Sequence, residues 1–207
     1  LEHVAYGRFS LPDGKISSRR GKQAVLVDLI EYAHNKAVEI IKDRKFELEN
    51  PADVANKVTS AVLNYSVLKV ERVKDCVFDM EKAFSFEGET APYMQYTFTR
   101  LESILRKHQQ TKAKADYSCF NADAFDLVKM INNFKTTLQI ALEKRDTSIV
   151  AKRVMEMCKT FNHYYTTTKI LDGDNNTTNA KINLVKSLKE CLNVGFNIIC
   201  IAGLKEM

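Results

Sequence analysis

Residues 78–100 read FDMEKAFSFEGETAPYMQYTFTR, and the reading of this stretch decides the fold. Glu87 to Thr90 break the chain around a glycine. Pro92 then stands where proline is best tolerated, in the first turn of a helix. From there a helix runs to about Lys107, with Leu101, Ile104 and Leu105 turned inward. After Pro92 no proline follows at all, and no glycine until Gly173. The whole chain holds seven glycines and three prolines in 207 residues, about 5% against roughly 12% in an average sequence. Folds built on tight turns need more of both. A β-sandwich, a barrel and a complete Rossmann domain are therefore excluded, and a mostly helical protein remains.

Working outward from this stretch, the helical period persists on both sides. Leu29, Ile30, Ala33, Ala37, Ile40 and Ile41 share one face, with Asp28 placed to cap it. Asn50 precedes Pro51 and Asp53 follows, a strong helix start, and Val54, Val58, Ala61, Val62 and Tyr65 line its inner face. Residues 108–118 are polar and read as a solvated connection. One long helix is expected from Asn121 or Asp123 through Leu127, Ile131, Phe134, Leu138 and Leu142, broken by residues 145–148. The next helix carries Val150, Val154, Met157, Cys158, Phe161, Tyr164 and Tyr165. The last is expected from about Thr178 to Ala202.

Only the leader differs: residues 3–12 alternate as a strand, residues 13–22 form a turn and a basic loop, and Gln23 to Val27 read as extended. The fold class is thus all-α, a helical bundle behind a short strand and loop.

Charge and cysteine usage narrow the function classes. The net charge of +5 is concentrated in residues 1–22, where Arg8, Lys15, Arg19, Arg20 and Lys22 face only Glu2 and Asp13. A focused basic segment fits a polyanionic partner. The five cysteines are scattered and never paired as C-x-x-C, which reads as reduced thiols of a cytosolic protein. No metal-ligand spacing, transmembrane stretch or signal peptide is visible. Leu1 rather than methionine opens the chain, and a piece of a longer protein is the expectation.

Two local constellations can carry chemistry. Lys15-Ile16-Ser17-Ser18-Arg19-Arg20-Gly21 offers hydroxyls, backbone amides and cations to a phosphate-rich ligand; the plainer alternative is a solvated basic turn. Tyr93, Tyr96 and Arg100 lie at i, i+3 and i+7 on one helix face, where aromatics can stack on unpaired bases and arginine can stack or grip phosphate. The plainer alternative is a packing stripe, and it applies equally to Phe161, Tyr164 and Tyr165. No catalytic set is visible.

Taken in order, these pieces resemble the C-terminal half of arginyl-tRNA synthetases. HVAYGRFSLPDGKISSRRGK (residues 3–22) resembles the end of that family's catalytic domain, with its class I signature loop (KMSKS in many relatives). FDMEKAFSFEGETAPYMQYTFTR resembles the start of its DALR-type anticodon-binding domain, and FNHYY (161–165) and ICIAGLKEM (199–207) resemble that domain's last two helices. The resemblance divides the chain into a catalytic-domain remnant at 1–27, a connecting helical segment at 28–86 and an anticodon-binding bundle at 87–207. Two departures stand out: Ser18-Arg19 where many class I enzymes carry Lys-Ser, and Ala91 in place of the glycine of a GETGPY-like motif.

The resemblance implies roles. Lys15, Ser17, Ser18, Arg19 and Arg20 fall on the loop that stabilises the ATP phosphates during adenylate formation. Tyr93, Tyr96, Arg100, Tyr165 and Met207 fall on positions that contact the anticodon loop. The full-length protein would be an arginine–tRNA ligase using ATP with Mg2+, arginine and tRNA-Arg, in the cytoplasm and as a monomer. This piece would bind tRNA-Arg, take no cofactor or metal of its own, and be inactive alone. The alternative is a free-standing helical RNA-binding or protein-interaction module derived from the same domain.

Overall fold

The structure is a computed structural model that describes residues 3–12, 26–43, 48–109 and 113–206. Eight α-helices are found among them: α1 (Leu26–Asp43), α2 (Pro51–Leu68), α3 (Met80–Ala83), α4 (Ala91–Lys107), α5 (Ala122–Asn132), α6 (Phe134–Lys144), α7 (Ser148–Thr167) and α8 (Asn175–Ile198). Two short strands, β1 (Phe9–Ser10) and β2 (Cys76–Val77), pair in parallel, Phe9 opposite Cys76. The all-α expectation holds, and no described helix is long and apolar enough to cross a membrane.

Helix starts follow local chemistry. The Asn50 side chain accepts the Asp53 N–H at 3.1 Å with Pro51 in the first turn, and Asp53 then pairs with Lys57 one turn on. Thr90 caps α4 by accepting the Tyr93 N–H, while its own hydroxyl donates to the Ser85 carbonyl at 2.6 Å. Ala91 is the first residue of α4 and is buried, so its methyl is accommodated where the motif usually has glycine. Asn121 and Asp174 cap α5 and α8 in the same way.

α1 packs along α2, α2 packs on α4, and α4 lies against both α7 and α8; α5 and α6 close the other side of α7. Met94, Leu101, Met157, Cys158, Phe161, Leu188 and Leu192 form the centre of one core that runs from Ala33 to Leu204. Burial on this scale, at roughly 25 cal/mol per Å² of apolar surface, is what holds a helical protein together.

Four expectations are corrected. α1 begins at Leu26, so residues 26 and 27 are helical rather than extended, and Asp28 lies inside the first turn; there the carboxylate still meets the positive end of the helix dipole. The long helix expected from residue 121 is two helices. Asn133 separates α5 from α6, and the asparagine pair 132–133 weakens the helix there because their side chains compete for backbone partners. The bend lets Phe134 bury itself beside α8 near Gly195. α8 ends at Ile198 rather than Ala202: Cys200 takes a left-handed φ of 54°, and the Ile201 N–H closes the end by donating to the Phe196 carbonyl at 2.8 Å. Finally, of the strand expected at residues 3–12 only Phe9 and Ser10 form a strand, with Leu11 a single bridge after them. Gly7 sits so close to this junction that a Cβ would lie 1.9 Å from the Lys74 carbonyl oxygen.

Candidate nucleic-acid interface

α4 and α7 run side by side and bring three of the singled-out residues together. The Arg100 guanidinium carbon lies 4.9 Å from the centre of the Tyr96 ring and 4.6 Å from that of Tyr165, so the cation is held between two aromatic faces. The helical period explains the meeting. Tyr96 and Arg100 are one turn apart on α4, while Tyr165 sits near the end of α7, tilted against Phe161.

The arrangement is locked from beneath by neutral groups. Arg100 donates to the Asn162 side-chain oxygen, Asn162 donates to the Thr97 hydroxyl at 2.8 Å, and Thr97 donates to the Tyr93 carbonyl at 2.9 Å. Sequence reasoning did not single out Asn162 or Thr97. The usable signal was spacing, since Asn162 lies three residues before Tyr165 on the same side of α7. Among the described residues no carboxylate forms an ion pair with Arg100, so its positive field is not cancelled at the surface.

Exposure separates residues that look alike in sequence. Tyr96 is 42% exposed and Tyr165 is 40% exposed, whereas Phe161 and Tyr164 are buried. Burial pushes the Tyr164 phenol up to about 12 and keeps the Cys158 thiol well above its usual range. Tyr93 is half-buried, packed against the core, and reaches the group through its main-chain carbonyl. Lys15, Ser17, Ser18, Arg19, Arg20 and Met207 lie outside the described residues.

Beside the Tyr96–Arg100–Tyr165 stack opens a cleft of about 590 Å³, lined by Ser103, Lys107, Thr166, Lys169 and Asp172 among others. Both α4 and α7 end here. Their exposed carbonyls make the spot electronegative, and Arg100 and Lys107 offset it, while Lys169 pairs with Asp172 at 3.6 Å. At the opposite end of α4, Lys159 pairs with Glu89 at 2.7 Å and holds that carboxyl below its usual value, while Lys69 donates to the Glu89 carbonyl. The face thus offers stacking surfaces, an arginine without an ion-pair partner among the described residues and the flanking Lys107, a combination suited to single-stranded nucleic acid. No group of metal-ligating side chains is found among the described residues, and all five cysteines are free thiols. A larger hollow of about 860 Å³ lies away from this face, between residues 6–9, the end of α2 and Arg72 to Cys76.

A family described as "DALR anticodon binding domain" matches residues 94–207. Arginine–tRNA ligases of Clostridium botulinum (strain Alaska E43) and Halothermothrix orenii are 34% and 36% identical to the chain over 99% of its length. The chain spans only 37% of the length of each. The solved arginyl-tRNA synthetase of Thermus thermophilus superposes with a TM-score of 0.92 at 25% identity, over 99% of this chain and 35% of that one. That of Plasmodium falciparum shares the fold at a TM-score of 0.78 and 18% identity over 89% of this chain.

Proposed function

The chain belongs to the DALR anticodon-binding domain family, and from that premise we propose that it holds tRNA-Arg by its anticodon loop while a catalytic part outside this chain attaches arginine. The observation that carries the reading is the Arg100 guanidinium held between the exposed rings of Tyr96 and Tyr165, with only neutral partners among the described residues.

The physical logic is that of single-stranded recognition. An anticodon base lifted out of its stack loses contacts on both faces, and an exposed tyrosine ring restores one of them for about 1–3 kcal/mol. Tyr96 and Tyr165 supply such rings without loss of core packing, because each already stands at the surface. Arg100 supplies charge to the adjoining backbone, and Lys107 extends it along the cleft. Tyr93 and Met207 belong to the same reading.

Arginylation itself belongs to the whole ligase. Lys15, Ser17, Ser18, Arg19 and Arg20 would clamp the phosphates of ATP, which brings its Mg2+, once the catalytic part is joined to them. The chain alone, whose described residues form no sheet beyond the paired β1 and β2, does not activate arginine. ATP–pyrophosphate exchange by the isolated 207 residues would contradict that. The reading is tested by titrating the chain with tRNA-Arg transcripts whose anticodon bases are substituted one at a time. Affinity should fall for the substituted transcripts; equal affinity for all of them would refute anticodon reading and leave a free-standing interaction module.

A further inference from the structure

Two cavities share the end of α4. Ile104 and Lys107 line the cleft beside the aromatic face, and His108, the next residue, lines a second hollow of about 350 Å³. Asn179, Ile182, Asn183 and Lys186 of α8 recur along it at the helical period, and Ala113 and Ala115 complete the lining. The connection that passes here is laced to α8 at three successive turns. The Asp116 N–H donates to the Asn176 carbonyl at 3.0 Å, Asn179 donates to the Ala113 carbonyl at 2.7 Å, and Asn183 donates to the Tyr117 hydroxyl at 3.0 Å. The hollow is therefore held in shape by polar contacts around a buried Ile182.

What this lacing leaves unused is polar and positive. Among the described residues, the Asn183 side-chain oxygen, the His108 ring and the Lys186 ammonium have no hydrogen-bond or ion-pair partner. Lys186 is exposed and forms no pair with Glu190 one turn on, and the exposed Lys114, between the two lining alanines, is likewise unpaired. The carboxylates of this end are committed elsewhere. Asp116 accepts the Ser118 N–H at 2.9 Å, Asp174 accepts those of Asn176 and Thr177, and Asp172 pairs with Lys169. Tyr117, fixed through its hydroxyl by Asn183, is 52% exposed and meets Phe120 edge-on.

We propose that this hollow binds one further nucleotide of the RNA strand, outside those read at the Tyr96–Arg100–Tyr165 face: its base lies on His108 with an edge bonded to the Asn183 amide, and its phosphate lies on Lys186. The inference rests on the proposed anticodon reading. An aromatic face, a free amide oxygen and a free ammonium are the groups that an unstacked nucleotide uses. An apolar ligand finds little here, because asparagine, histidine and lysine dominate the lining. The strand passes from one cavity to the other round the end of α4, which both share. An amide both donates and accepts, so Asn183 takes any base edge, and the site adds affinity rather than sequence choice.

The experiment titrates the chain with tRNA-Arg, with anticodon-substituted transcripts and with transcripts lacking one loop base at a time outside the anticodon. The proteins are wild type, His108→Ala, Lys186→Gln and, as a charge control on the exposed side of α6, Lys144→Gln. Lys186→Gln should weaken binding of every transcript by about three- to tenfold and reduce the salt slope by about one phosphate contact, while Lys144→Gln changes neither. Removal of one particular base should weaken wild-type binding by about five- to hundredfold. In His108→Ala, with its unfolding midpoint unchanged, the same removal should cost nothing further. If Lys186→Gln acts no more strongly than Lys144→Gln, or if every base removal costs His108→Ala as much as wild type, the hollow is only solvated and the proposal is wrong. If wild type binds the anticodon-substituted transcripts as tightly as tRNA-Arg, it is the anticodon reading that has failed. Lys186→Gln carries the test should His108→Ala not fold.

Discussion

α4 and α7 each carry a cluster of aromatic side chains, and the two clusters have opposite fates. On α7, Phe161 and Tyr164 are buried against the core, while Tyr165, one residue further round the helix, is 40% exposed. On α4, Met94 and Phe98 are buried while Tyr96 between them faces outward. Residue type does not separate the groups, since tyrosine is found in both. The phase of each helix does: a step of one residue turns a side chain by about 100° and moves it from core to surface. The difference teaches that the candidate interface is the shared margin of two helices whose inner faces are already committed to packing.

The comparison can be broken or sharpened by mutation. The largest effect is expected at Phe161, where Phe161→Ala should lower unfolding stability by about 3–5 kcal/mol, read by thermal or urea denaturation. A small loss there would mean that α7 is less tightly packed than its burial indicates. Next come Tyr96→Ala and Tyr165→Ala, each expected to weaken tRNA-Arg binding by about 1–3 kcal/mol. The midpoint of unfolding should barely move. Asn162→Ala should follow at about 1 kcal/mol, since it removes the acceptor that orients Arg100 and leaves Thr97 without its donor partner. Its binding loss should largely vanish in an Arg100→Ala background, measured as a double-mutant cycle.

The smallest effect at neutral pH is the alkaline one. Burial raises the proton affinities of the Cys158 thiol and the Tyr164 and Tyr65 phenols in the folded state, so each favours folding while protonated. The unfolded chain releases these protons first, starting near the ordinary thiol value of 9.0. Stability should therefore be flat up to about pH 9 and then decline as pH rises further. Burial raises the Cys76 and Cys191 thiols too, so Cys158→Ala should make the decline shallower rather than move its onset, and an unchanged profile would argue that the Cys158 thiol is more accessible than its burial shows.

Much of this was legible in the sequence. Thr90 and Pro92 fixed the start of α4, the apolar period fixed which side of α7 is buried, and the i, i+3, i+7 spacing put Tyr93, Tyr96 and Arg100 on one face. What was not legible depends on partners distant in the chain. The break at Asn133 falls just before the buried Phe134, and a continuous apolar period hides it. The end of α8 is decided by carbonyl partners on α2 and α4, so the apolar run through residue 202 read as helix. Asn162 looked like an ordinary polar residue because its role exists only through contacts with α4. The half-burial of Tyr93 likewise follows from packing that spacing cannot reveal.

The central claim is that the Tyr96–Arg100–Tyr165 margin reads unstacked anticodon bases and is energetically separate from the core. The most direct test is the Tyr96→Ala/Tyr165→Ala double variant, with affinity for tRNA-Arg, affinity for an anticodon-substituted transcript and thermal stability measured on the same sample. The account predicts an unchanged unfolding midpoint, a clear loss of affinity for tRNA-Arg and the collapse of the difference between the two RNAs. An affinity difference that survives the double substitution intact would contradict it.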